Sequence, residues 1–330
     1  MLQLFRNIDF SVAIIAFIYF WVFYAANFFC VQPDLAMLAN NTNVISTFIF
    51  NGVEKSPFLV YVIGFLSILW QSFLLNTLVN EFHLSKKATF ITIPAAYIII
   101  FAFGDNDFIN PLLLSNNFLV LSLWFLFRTA DKKAGLGDIY NSSFLLGLSC
   151  VIAWANFAFF PLYILALLIL RGFDWREFLV LLAGFFSFFL LLFTYFYLYD
   201  SAGAWWVQDV AQHWAVANFD LNISITAWFS IVFFVGLGLF TFINLNNLQQ
   251  KITLKEQKYI QIVILMLIFG GLSFLMQQNF NWYSLNIFFI PLTILLSLHL
   301  QAIKSNNTAE IVHLALFLLA IAAQYQSLLF

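Results

Sequence analysis

Apolar residues fall in long runs along this chain, and an Asp, Glu, Lys or Arg rarely interrupts one. Many runs approach or exceed the ~18–20 residues that carry a helix across a bilayer. With loops and charges as punctuation, the pattern predicts nine crossing helices, over 8–29, 58–76, 88–103, 111–128, 177–198, 223–244, 259–276, 283–300 and 309–328. The stretch 144–170 stands apart, with 27 residues and no charge: too long for one untilted span and too short for two full ones. Pro161 lies just past its middle, where a break is natural because proline lacks the amide hydrogen that a helix needs. The expectation is an all-α polytopic bundle of about 11 helices, with a short hairpin at 144–170 and one integral membrane domain over 1–330.

Lys and Arg orient such a bundle, because short cytoplasmic loops hold an excess of both. If 144–170 enters and leaves on one side, twelve of the 13 Lys and Arg face the cytoplasm and only Lys55 lies outside. A single crossing there changes the split to 6 against 7. The hairpin fits better, and two thinned spans would give the same parity. The N-terminus is then cytoplasmic and the C-terminus external. The first apolar run is expected to stay as a helix, since Phe28 and Phe29 precede Cys30 where a cleavage site needs small residues.

Composition agrees with the bilayer as solvent: 63% of residues are hydrophobic and 8% charged, against roughly 25% charged in an average soluble domain. The formal net charge of -2 comes with no basic stripe, so nucleic acid is excluded as a partner. The 45 Phe suit a lipid-facing surface and carry no functional message. Cys30 and Cys150 have no CxxC or Cys/His spacing, so neither a disulfide framework nor a metal site follows.

Ionisable groups within spans are where a membrane protein usually does its chemistry, and here the span interiors are nearly free of charge. His299 and His313, near helix ends, read as interfacial residues. Candidate chemistry moves to the external loops 30–57, 104–110, 199–222 and 277–282, which are rich in acids. Asp105 and Asp107 stand one residue apart at the mouth of two helices, able to hold a divalent cation or to act as a general base; a plain polar turn is the other reading. Asp34 follows Pro33 just after the first helix. In 199–222, Trp205, Asp209 and His213 share one face at helical spacing. That segment reads either as an interfacial helix with its aromatic belt, or as a substrate-binding element in which Asp209 orients His213 over a lipid headgroup or sugar. The basic cytoplasmic clusters also attract anionic membrane lipids.

The order from Pro111 through Leu198 is a helix ending in Arg128, a basic loop, Leu145-Leu-Gly-Leu148, the break at Pro161, a helix ending in Arg171, the turn Asp174-Trp-Arg176 and a long helix through Gly184. It resembles the central part of a domain-of-unknown-function family of polytopic inner-membrane proteins from Bacteroidetes. The order over roughly residues 1–200 is also similar to membrane glycosyltransferases of the GT-C type. That resemblance implies a polyprenyl-phosphate sugar as donor, action at the external face, and an essential acid in the first external loop, matched by position to Asp34 or Glu54. Asp105 or Asp107 would match a second acidic site. The chain departs from the pattern in having no paired-acid motif in 30–57 and no large external domain.

Two functions follow: a GT-C-like transferase with a catalytic carboxylate among Asp34, Asp105 and Asp107, or a non-catalytic subunit or scaffold of an envelope assembly that packs against a membrane-protein partner. A small-molecule permease would need a polar path through the spans, and the pattern of charges offers little of one.

Overall fold

The computed structural model describes residues 2–6, 10–30, 57–85, 87–102, 110–131, 135–199, 232, 236, 253–275, 282–303 and 305–329. Among them are ten α-helices of more than ten residues and no strand. They are α1 (Phe10–Cys30), α2 (Pro57–Glu81), α3 (Thr92–Ala102), α4 (Pro111–Arg128), α5 (Leu136–Ile152), α6 (Phe159–Arg171), α7 (Trp175–Leu198), α8 (Leu254–Leu275), α9 (Phe289–Ala302) and α10 (Asn306–Leu329). A helical turn, Leu2–Phe5, precedes α1, and 3₁₀ turns at Trp154–Ala158 and Trp282–Phe288 lead into α6 and α9. Among the described residues, five helical segments are long and apolar enough to cross a membrane: Tyr61–Glu81, Pro111–Arg128, Trp154–Arg171, Trp175–Leu198 and Ser284–Ala302. This is the helix set of a membrane protein.

Local chemistry explains the boundaries. Asn110 caps α4, its Oδ1 accepting from the Leu113 amide at 2.6 Å, and Pro111 takes the first helical position, where its missing N–H costs nothing. Asp174 caps α7 by accepting from the Arg176 amide at 2.9 Å. Thr253 and Glu256 form a reciprocal capping box at the start of α8. Gly172 ends α6 at φ 89°, a conformation that glycine reaches without strain.

The expected helix over 111–128 coincides with α4, and the others shift by a few residues at their ends. The expected span 223–244 lies outside the described residues apart from Val232 and Gly236. The stretch 144–170 needs correcting. Its first helix begins at Leu136, with Asp138 in the first turn, where the helix dipole favours an acid. The break falls at Ala153 and not at Pro161, which sits in the first turn of α6 and needs no amide partner there. The result is a pair of helices, Leu136–Ile152 and Trp154–Arg171, that leaves and returns to the same end of the bundle.

Packing puts α2, α4, α5 and α7 in a row, while α9 is held among α3, α8 and α10. Ser284–Ala302 is 83% buried and Trp175–Leu198 only 17%, which makes α9 central and α7 peripheral among the described residues. Apolar contact with lipid offers helices no net drive to associate, so close backbone approach and hydrogen bonds decide the row. Ser122 of α4 and Ser142 of α5 each donate to the other's carbonyl, at 2.6 and 3.0 Å. Gly147 of α5 and Gly184 of α7 let those two backbones meet. His299 and His313 are both buried within the protein, and His313 Nε2 lies 3.2 Å from the Tyr19 hydroxyl.

Candidate functional site

The seven described Lys and Arg residues lie at one end of the bundle, and hydrogen bonds tie that end together. Arg6 donates to the Ile303 carbonyl, and the Phe90 amide donates to the Phe5 carbonyl at 2.9 Å. Asn80 pairs with Thr89 through both halves of its carboxamide. The Trp124 indole donates to Glu81 at 2.7 Å, and Arg128 lies 3.9 Å from Asp138 with its guanidinium 5.0 Å from the Trp124 ring centre. Lys255 pairs with Asp131 at 2.5 Å, Lys258 donates to the Leu170 carbonyl at 3.3 Å, and Arg171 pairs with Glu177 at 2.9 Å. A cavity of about 440 Å³ opens here, lined by Glu81, Arg128, Asp131, Asp138, Lys255 and Tyr259 among others. Each acid in it is committed: Glu81 to Trp124, Asp131 to Lys255, Asp138 to Arg128, and Glu256 to the Thr253 amide. The hydrogen bond that Lys255 donates to Asp131 is the main cause that pushes its ammonium above its ordinary value. The cavity is a clasp that joins the ends of α2, α4, α5 and α8.

The opposite end has a different character. Gln71 of α2 donates to the Leu113 carbonyl, and from Gln71 back to Pro57 the helix rises about 21 Å further at 1.5 Å per residue. Only two residues separate Leu113 from the start of α4, about 3 Å of helix. On the other side of the row, Trp154 packs on Phe189 of α7 with ring centres 5.9 Å apart. Beyond Phe189, α7 continues to Leu198, about 14 Å further. The outer helices α2 and α7 therefore overhang the inner pair, α4 and the turn between α5 and α6. Among the described residues this leaves a step, its floor at the first turns of α4 and the turn between α5 and α6.

The floor is built from neutral polar side chains around the first two turns of α4. Asn116 Nδ2 donates to the Asn286 carbonyl at 3.0 Å, Asn156 Nδ2 donates to Ser115 Oγ at 2.8 Å, and Ser273 donates to the Ala155 carbonyl. Gln71, Asn116 and Asn156 are fully buried, and the carboxamide oxygen of each has no donor among the described residues. For Gln71 and Asn116 the orientation is forced, because the amide nitrogen faces a backbone carbonyl that can only accept. This neutral floor went unforeseen because a search for charge passes over carboxamides.

All six residues singled out in the sequence, Asp34, Asp105, Asp107, Trp205, Asp209 and His213, lie outside the described residues, as does Glu54. The helix ends nearest to them in the chain are described. Ala102 and Asn110 flank 103–109, Cys30 and Pro57 flank 31–56, and α7 ends just before Asp200. Each of these ends belongs to the end of the bundle away from the Lys and Arg. Among the described residues no group of three His, Cys, Asp or Glu is placed to hold a metal ion. Comparison of the chain with family models, with curated proteins and with solved structures gives no match.

Proposed function

We propose that this chain is a GT-C-like transferase of the bacterial inner membrane, using a lipid-linked sugar at the end of the bundle away from its Lys and Arg. The observation that carries this reading is the floor of buried carboxamides, past which the described parts of α2 and α7 extend. A donor with a polyprenyl tail needs such a place, where an apolar chain enters from lipid while the headgroup meets polar groups. The chain segment that carries Asp105 and Asp107 begins and ends at this side of the bundle, at Ala102 and Asn110. The helix pair α5–α6 followed by the long α7 also fits the order that the resemblance suggested. With the Lys- and Arg-bearing end in the cytoplasm, the carboxamide floor lies toward the external side and the C-terminus is external.

In this reading Asp34, Asp105 or Asp107 takes the proton of an acceptor hydroxyl. The acceptor oxygen bonds to the anomeric carbon, the bond from that carbon to the phosphate oxygen breaks, and polyprenyl phosphate leaves. Trp205, Asp209 and His213 contribute to binding, and a divalent cation held by Asp105 and Asp107 would stabilise the leaving phosphate. The test is release of polyprenyl phosphate from a panel of radiolabelled polyprenyl-phosphate sugars by the full chain in lipid nanodiscs. Turnover that falls at least a hundredfold in Asp105→Asn or Asp107→Asn, with the fold intact, supports the proposal. Turnover that survives all of Asp34→Asn, Asp105→Asn and Asp107→Asn sinks the catalytic assignment. Absence of turnover across the panel turns attention to a scaffold that binds a membrane partner.

A further inference from the structure

The clasp at the basic end surrounds a space that its own bonds leave open, the cavity of about 440 Å³. That volume falls within the roughly 300–1,000 Å³ of pockets that take small organic molecules. Two of the segments long enough to cross a membrane end in residues that line it, Glu81 and Arg128. The cavity therefore sits where spans end and lipid headgroups begin, the level at which the Trp124 indole is also placed. Phe82 and Tyr259 supply an apolar part of the lining. Phe127 packs on both, with ring centres 5.4 and 4.5 Å away, and its carbonyl accepts from the Tyr259 hydroxyl at 3.2 Å.

The polar lining holds both unused acceptors and unused donors. Four carboxylates, of Glu81, Asp131, Asp138 and Glu256, stand against two full cations, Arg128 and Lys255, which leaves a formal surplus of two negative charges among the described residues. Each carboxylate commits one oxygen: Glu81 Oε2 to the Trp124 indole, Asp131 Oδ1 to Lys255, Asp138 Oδ2 to Arg128 and Glu256 Oε2 to the Thr253 amide. The second oxygen of each has no partner among the described residues. Arg128 is the complementary case. Its 3.9 Å separation from Asp138 is too long for a hydrogen bond, and its guanidinium is placed by the rings of Trp124 and Phe125, 5.0 and 5.8 Å from their centres. Its N–H donors thus have no hydrogen-bond acceptor among the described residues.

We infer that this cavity binds a zwitterion carrying both an ammonium and a phosphate, the chemistry of an ethanolamine phosphate headgroup. The phosphate oxygens meet the planar fork of Arg128, which matches them two at a time. The ammonium donates to the free oxygens of Asp138 and Glu81, which are tied to the same pair of Arg128 and Trp124. The methylenes between the two charges lie against Phe82 and Tyr259. Water serves each of these groups singly, whereas the zwitterion serves both sets at once. An anion without an ammonium meets the surplus of carboxylates, and a bare cation leaves Arg128 unserved. The same group comes either on a phospholipid or as free O-phosphoethanolamine. The site lies at the opposite end of the bundle from the carboxamide floor and does not depend on a transferase activity.

Native mass spectrometry of the full chain, delipidated in detergent, tests this by titration with phosphatidylethanolamine, phosphatidylglycerol, phosphatidylcholine and O-phosphoethanolamine. Phosphatidylglycerol lacks the ammonium, and phosphatidylcholine lacks its N–H donors. The expected result is phosphatidylethanolamine bound about tenfold more tightly than either, the worth of one hydrogen bond to a charged group. Arg128→Gln, Glu81→Gln and Asp138→Asn should each weaken it by about the same factor. Arg176→Gln, exposed and outside the cavity, should bind as wild type does and controls for general attraction of lipid to the basic end. Monodispersity checks the fold, and the wild-type comparison among lipids stands whether or not a variant folds. Binding of phosphatidylethanolamine alone makes the site a lipid site, and binding of O-phosphoethanolamine alone, with the same dependence on Arg128 and Glu81, makes its ligand soluble; either supports the inference. Equal affinity for the three lipids without uptake of O-phosphoethanolamine overturns it, as does binding that survives all three cavity variants.

Discussion

Gly184 of α7 lies so close to Tyr140 of α5 that a β-carbon there would come within 2.7 Å of the Tyr140 carbonyl oxygen. Backbone cannot swing aside as a flexible side-chain end can, so the two helices must separate to admit even one methyl group. Gly184→Ala should cost about 1–3 kcal/mol, and Gly184→Leu more. Gly271 on α8 has nothing within 4 Å of the same construction, so Gly271→Ala is the neutral control. Thermal unfolding in detergent, followed by tryptophan fluorescence, measures both. Equal melting temperatures for the two alanine variants would show that α5 and α7 do not meet in this way.

The reciprocal bonds of Ser122 and Ser142 bind α4 to α5 with two hydrogen bonds that no water competes for. Interhelical hydrogen bonds in membranes are worth about 0.6 kcal/mol on average, with a maximum near 1.7. Ser122→Ala and Ser142→Ala should each lose about that much, because the carbonyl left behind loses its donor. Their effects should add closely, since each bond joins one hydroxyl to the other residue's backbone carbonyl. A double variant far less damaging than the sum of the single ones would mean that the two hydroxyls act as one unit.

How much of this was legible beforehand differs from element to element. Asn110-Pro111 and Arg128 mark both ends of α4 by their chemistry, and the expected boundaries coincide with the observed ones. The start of α5 was obscured because Asp138 reads as loop punctuation, although an acid in a first helical turn is favourable. The step between α2 and α4 depends on the height at which Gln71 meets Leu113, a tertiary register that no single-chain pattern encodes. Thr293, Ser297 and Gln301 stand at helical spacing along α9, and a search keyed to charge passes over them. Of the candidate acids, geometry describes only the flanking helix ends.

Arg171 and Glu177 pair at 2.9 Å across the turn between α6 and α7, with side chains only 16% and 8% exposed. Removing one partner leaves a buried charge with less compensation, so Glu177→Gln and Arg171→Met should each lose roughly 2–4 kcal/mol. Replacing both by Met should cost less than either single change, because no charge then remains to be desolvated. Unfolding of the three variants in one detergent decides the order. A double variant as damaged as the sum of the singles would show that the side chains matter here for packing and not for charge.

Lys255 and Asp131 make a different kind of pair, exposed by 47% and 68%, so water and salt screen it. Lys255→Met should therefore change stability at pH 7 by under about 0.5 kcal/mol. The capping box beside it does more, and Thr253→Ala should cost about 1 kcal/mol by leaving a first-turn amide of α8 without its acceptor. The pH dependence has a definite sign. Lys255 is held above its ordinary value of 10.5, first by its hydrogen bond with Asp131, so its contribution is fully present below that value. It fades only as the pH rises through the elevated folded value. Melting curves of wild type and Lys255→Met should run together from pH 6 to 9 and draw closer still at strongly alkaline pH. A gap of several degrees at pH 7 would make this pair a principal tie between α4 and α8, and the clasp at the basic end would then rest on charge more than on capping.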